Sequence, residues 1–294
     1  MQSNTIRRVF GYGLGAGVAA TLAWLGLNAT LAPDADHYLL QAEIKLRYAT
    51  CLPGTQASGA PVAARELLIR DAEDYLARAE SLARDLPVAA ESRGYIHYLR
   101  GDARAAAAAY RRAGQLLASD ASEAQGELRV NEARMLMLAG DDPAALATLR
   151  AHGGVVGHAR PAADLESARI LRRMGREADA LAAARAAAVA ADSKDSTWID
   201  AAEVLEALGD HATAASVYER MSGSQPLASY LAGRLKAQAG AFDIAFEMLE
   251  RAVEGMGPEV HRLLERDAVA WRHVTTTERF QSLFPKDASA RPGR

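Results

Sequence analysis

One glycine returns along this sequence at nearly even spacing, and it restricts the fold more than any other feature. It stands in Gly101-Asp102, Gly140-Asp141, Gly175-Arg176, Gly209-Asp210 and Gly240-Ala241, at intervals of 39, 35, 34 and 31 residues. Other positions keep phase with it. Seven residues earlier stand Gly94, Ala133, Ala168, Ala202 and Gly233, and five residues later Ala106, Ala145, Ala180, Ala214 and Ala245. Nine residues later stand Tyr110, Leu149, Ala184, Tyr218 and Leu249, and twelve later Ala113, His152, Ala187, Met221 and Ala252.

A repeat near 34 residues, with a glycine between two apolar periodic segments, predicts a helical hairpin as the unit. Glycine closes the first helix because it accepts a left-handed conformation without a Cβ clash. Two antiparallel helices approach closely only where the residues at the crossing are small, which accounts for the two small columns. Half of the residues are apolar and only 6% are aromatic. That balance suits close-packed helices rather than a sheet over a bulky core. An alanine-rich sequence fills small-residue columns easily, but that alone does not put five glycines in phase with them. Asp142-Pro143 is a local helix-start signal, since Asp caps and Pro fits the first turn.

The columns of small, glycine turn, small, large apolar and small resemble the tetratricopeptide repeat family. Trp198 falls at the family's first-helix tryptophan, and Pro87, Pro161 and Pro226 fall near its inter-repeat proline. The resemblance covers roughly Pro87 to Glu259, with Ala184 departing from the large apolar column. It implies an all-α solenoid of five to six helix hairpins. The repeats are expected at 87–125, 126–160, 161–194, 195–225 and 226–258. Ahead of them, residues 33–86 read as a divergent pair, with helices over His37–Ala49 and Ala64–Leu86. A Gly, Pro, Ser and Thr-rich loop over 52–61 joins these two, and Ala72, Leu76 and Ala79 mimic the second-helix columns. Residues 259–284 read as capping helices, one from Glu259 to about Trp271 and a second around Glu278–Phe284. Residues 285–294 read as a disordered tail.

Residues Val9–Ala32 carry no charged side group, a length that spans a hydrocarbon core of about 30 Å as a helix. Arg7 and Arg8 precede the run, while Asp34 and Asp36 follow it. Residues 1–8 are therefore expected on the cytoplasmic side, 9–32 as a single-pass anchor, and the rest in a bacterial periplasm. A cleaved signal peptide is the competing reading. It places Pro33 directly after the cut and requires an unusually long apolar run. Gly11 with Gly15 and Gly13 with Gly17 match the small-xxx-small pattern of membrane-helix contacts, although glycine is also simply common in such helices. A phosphate-cradling loop is rejected because no strand precedes the glycines.

No catalytic signature accompanies this architecture. The seven histidines, at 37, 97, 152, 158, 211, 261 and 273, form no HExxH motif, and His152 with His158 read as solvent-facing loop residues. There is no GxSxG and no Walker loop. Cys51 is the only cysteine, which excludes an internal disulfide and reads as a free thiol or an intermolecular one. No cofactor or metal is expected, and the protein reads as a non-enzyme. The net charge of −3 gives no basic face for nucleic acid.

The resemblance implies a concave groove lined by the first helices. Carried over by position, one column holds Tyr95, Arg134, Arg169, Glu203 and Arg234, and another holds Tyr98, Met137, Arg172, Glu206 and Ala237. Arg173 and Gln238 stand beside the second. The expected partner is a protein offering an acidic segment or a C-terminal carboxylate to Arg134, Arg169, Arg172 and Arg173, with Tyr95 and Tyr98 adding apolar contact. The bland alternative is that these arginines pair with carboxylates of neighbouring helices. The function this implies is a tethered scaffold or assembly factor of an envelope complex. A cell-wall or exopolysaccharide accessory would instead need exposed Tyr95, Tyr98 and Tyr230, and a permanent subunit of a membrane enzyme would need a large apolar patch.

Overall fold

The computed structural model describes residues 33–51, 59–117, 122–151, 155, 157–191 and 196–284. The apolar run 9–32 with Gly11, Gly13, Gly15 and Gly17, most of the 52–61 loop, and the 285–294 tail lie outside the described residues. Among the described residues every regular element is helical, and no helix is long and apolar enough to cross a membrane. The protein divides into two compact units, Met1–Ala159 and Arg160–Arg294.

The first unit holds three hairpins: α1 (Ala35–Cys51) with α2 (Gly59–Leu82), α3 (Pro87–Leu99) with α4 (Ala103–Leu116), and α5 (Ser122–Leu138) with α6 (Asp142–Arg150). A short 3-10 turn, Gly157–Ala159, packs against α5 and ends the unit. Within the first hairpin, Ala42, Leu46 and Ala49 of α1 meet Ile69, Ala72 and Leu76 of α2, and Ala89 and Ile96 of α3 complete this core. The loop expected through Pro61 is shorter than that, because α2 already begins at Gly59. Pro61 is tolerated there because the first helical turn has no internal partner for its missing N–H. The 126 boundary moves as well, since α5 opens at Ser122.

The second unit holds three hairpins and a cap. α7 (Arg160–Arg173) pairs with α8 (Glu177–Ala190), α9 (Thr197–Ala207) with α10 (His211–Met221), and α11 (Pro226–Gln238) with α12 (Phe242–Met256). α13 (Glu259–Arg266), α14 (Ala268–Trp271) and α15 (Glu278–Leu283) close it. The single helix expected from Glu259 to Trp271 is broken at Asp267, which leaves the helical region at φ −103° and ψ 25°.

All five turn glycines have positive φ, between 73° and 82°. Each closes its helix with the same pair of bonds. At the fourth turn the Gly209 N–H donates to the Glu206 carbonyl at 3.0 Å and the Asp210 N–H to the Leu205 carbonyl at 2.9 Å. The next residue is already the N-cap of the second helix. Asp102, Asp141 and Asp210 there accept from the N–H groups of Ala105, Ala144 and Thr213. The cap of α6 is therefore Asp141, one residue earlier than the Asp142 expected, and Asp142 sits in the first turn beside Pro143.

The small columns lie at the crossings. Ala133, Ala168, Ala202, Ala106, Ala145, Ala180, Ala214 and Ala245 are fully enclosed. At Gly94 a Cβ would stand 3.1 Å from the Tyr110 ring, so glycine makes room for the large apolar column of the facing helix. Trp198 is buried and meets Tyr218 edge to face, with ring centroids 6.2 Å apart.

Candidate functional site

The expected contact residues divide between the two units. In the first, Tyr95 and Tyr98 project from α3 and stack with ring centroids 6.1 Å apart. Tyr95 is 9% exposed and Tyr98 is half-buried. Burial pushes the Tyr95 hydroxyl up to about 12, and a hydrogen bond with Thr50 only partly offsets it. Burial raises the Tyr98 hydroxyl as well, and Arg65 of α2, whose Nη2 donates to the Leu99 carbonyl at 3.1 Å, opposes the rise at both rings without cancelling it. Arg134 and Met137, one turn apart on α5, are both partly buried.

In the second unit the arginines are divided between two environments. Arg169 is held in place: its Nη1 donates to Glu166 at 2.9 Å, and its Nη2 lies 3.5 Å from Asp200 of α9. Glu166 is 1% exposed, so removing Arg169 would strip a partner from a buried carboxylate. Arg234 pairs with Glu206 of α9 and lies 3.9 Å from Asp267 of the cap. Arg172 and Arg173 stand exposed at the end of α7.

Arg234 is one member of a polar network that ties α9, α10 and α11 to the cap. The Tyr218 hydroxyl donates to Glu206 at 2.8 Å. The Tyr230 hydroxyl donates to Asp267 at 3.0 Å and accepts from the Trp271 indole N–H at 3.2 Å. Arg266 adds a further bond to Asp267 at 3.0 Å. Burial and the neighbouring carboxylates hold the Tyr218 and Tyr230 hydroxyls well above the ordinary range. Tyr230 is thus a fully buried member of this network and not an exposed groove aromatic. With Tyr95 also buried, two of the three rings required for sugar stacking face inward.

Elsewhere, His158 is exposed and its Nε2 lies 3.6 Å from Glu123, whose carboxylate also accepts the His158 N–H at 3.2 Å. His152 lies outside the described residues. Among the described residues no group of three His, Cys, Asp or Glu residues could hold a metal ion. An open hollow of about 200 Å³, lined by Arg104, Arg111, Leu136 and Asp141 among others, is smaller than the pockets that enclose drug-sized ligands. Cys51 ends α1 and is exposed.

The Asp267 junction is the element of this arrangement that sequence reasoning missed. Its signal was present in the charge pair Arg266-Asp267, which interrupts the apolar run ahead of Ala268-Val269-Ala270-Trp271, although the Asp267 carboxylate bonds Arg266 and Tyr230 and does not cap the new helix. No protein-family model matches the sequence, and no curated protein matches it either.

Proposed function

We propose that this protein is a membrane-tethered scaffold of the tetratricopeptide type, which binds partner proteins and performs no chemistry of its own. The observation that carries the reading is recurrence. Five hairpins share one glycine turn, one pair of closing bonds and the same small residues at the crossing. Repeats of this kind bury their apolar faces only against their neighbours, so residues left on the exposed rows remain available to a partner. Residues 9–32 form the anchor, with Arg7 and Arg8 on the cytoplasmic side and the hairpins in the periplasm, where the protein serves assembly of an envelope complex.

Each unit has its own contact residues: Tyr98, Arg134 and Met137 in the first, Arg172 and Arg173 in the second. The arginines of either suit a partner that offers an acidic segment or a C-terminal carboxylate, because guanidinium forks match carboxylates. Arg169 and Arg234 serve the fold instead, through Glu166, Asp200, Glu206 and Asp267.

The test is crosslinking in native membranes followed by mass spectrometry, comparing the wild type with a double variant, Arg172→Glu with Arg173→Glu. Both residues are exposed, and circular dichroism checks that the variant retains the fold. Loss of the crosslinked partners supports the reading. An unchanged set of partners from a folded variant removes these two arginines from the binding surface.

A further inference from the structure

We infer that the outer row of α1 is a lipid-contact surface, so that the first hairpin lies on the bilayer beside the anchor. The inference rests on the anchor reading above. Four α1 residues pack on the core of the first hairpin, namely Leu39, Ala42, Leu46 and Ala49. At 3.6 residues per turn the opposite row is His37, Leu40, Ile44, Tyr48 and Cys51. That row is apolar along its middle, with Leu40 and Ile44 partly exposed, Tyr48 62% exposed and Cys51 exposed. A helix whose two opposite rows are both apolar has a second face to cover.

The short link between the run and the helix selects the occupant. The uncharged run ends at Ala32 and α1 begins at Ala35, with only Pro33 and Asp34 between them. A step that short spans at most about 10 Å. Wherever the run leaves the bilayer, α1 starts within that distance of the lipid headgroups. α1 is about 26 Å long by its 1.5 Å rise, so laid flat it brings the whole row to the interface. The charges beside the row are already neutralised, Arg47 by Glu43 at 2.8 Å and Lys45 by Asp71 at 2.7 Å. Tyr48 suits the interface, with an apolar ring and a hydroxyl that stays wet.

Cys51, the sole cysteine, lies on the row itself and serves as the reporter. The full-length protein is labelled there with a polarity-sensitive fluorophore and reconstituted into phosphatidylcholine vesicles. A blue-shifted emission, protected from aqueous iodide and quenched by brominated lipid, is the expected result. A second protein carries the label in the anchor, through Ala23→Cys with Cys51→Ser. If the anchor label is quenched by brominated lipid while the Cys51 label remains open to iodide, the lipid face is wrong and the anchor stands. If the Cys51 label is shielded from iodide yet untouched by brominated lipid, protein covers the row instead, either a second copy or the molecule's own apolar run, and the inference fails. If neither label reaches lipid, the anchor reading itself falls.

Discussion

The indole of Trp271 lies on Gly233: a Cβ at that glycine would stand 3.0 Å from Cη2 of the ring and 2.9 Å from the carbonyl oxygen of Ala245. The cap therefore docks on the last hairpin through a position with no Cβ. The Ala245 oxygen is backbone and cannot step aside. Gly233→Ala is expected to destabilise the second unit by about 1–3 kcal/mol, the usual cost of overpacking a closed site. Urea unfolding followed by circular dichroism measures it. An unchanged midpoint would show that the cap shifts freely on α11.

The turn glycines make the opposite case. Gly209 has φ +81°, and a Cβ there would meet nothing within 4 Å. Any cost of substitution is then conformational and not steric. Gly209→Ala should lose roughly 1–2 kcal/mol, and Gly209→Asn distinctly less, because asparagine tolerates the left-handed region. Equal unfolding midpoints for the two variants would refute a backbone origin.

The N-caps yield a stabilising change. Ala241 opens α12 at φ −83° and ψ 64° and offers the helix no capping oxygen, while Asp210 opens α10 at nearly the same angles, −88° and 62°, and caps Thr213. Ala241→Asp should therefore raise stability by about 1 kcal/mol, and Asp210→Ala should lower it by a similar amount. Thermal midpoints of both proteins read this directly. A fall for Ala241→Asp would mean that repulsion from Asp243 in the same turn outweighs the cap.

The network beneath the cap should weaken at both ends of the pH scale. Burial would raise the Asp267 carboxyl, but bonds from Arg266 and Tyr230 outweigh it and hold the group below its ordinary 3.8. Its contribution is full above that value and is lost as pH falls through the depressed one. Burial raises Tyr218 and Tyr230 above their ordinary 10.0, with Glu206 and Asp267 adding to the effect. Their contribution is full below pH 10 and is lost as pH climbs beyond it. Asp267→Asn should flatten the acid limb of stability against pH, and Tyr218→Phe the alkaline limb. Limbs identical to the wild type in both variants would exclude this network as their source.

The hairpins were legible because everything that makes them is local. A glycine, its neighbouring cap and two small residues fall within about 13 positions of one another, and each fixes its own piece of backbone. That the arginines could pair with neighbouring carboxylates was legible, but which carboxylates they meet was not. Arg169 meets Asp200 of the next hairpin, and Arg234 meets Asp267 of the cap, in each case past an intervening helix, so that packing between modules decides which residues touch. Tyr230 misled for a related reason. It occupies a first-helix position that resembles a surface row, but Trp271 reaches back 41 residues to bond it. The break at Asp267 escaped notice because the apolar spacing of Val260, Leu264 and Trp271 continues through it.

The five glycine turns span residues 100–102, 139–141, 174–176, 208–210 and 239–241, three in every case. Connections from one hairpin to the next are uneven, from 222–225 up to 151–159. A turn in which one residue ends a helix and the next begins another has no slack for insertion. In the five glycine-turn hairpins length drift is confined to the joints between them, and those joints are where a tag, a cleavage site or a transplanted module could be spliced without disturbing any of the five.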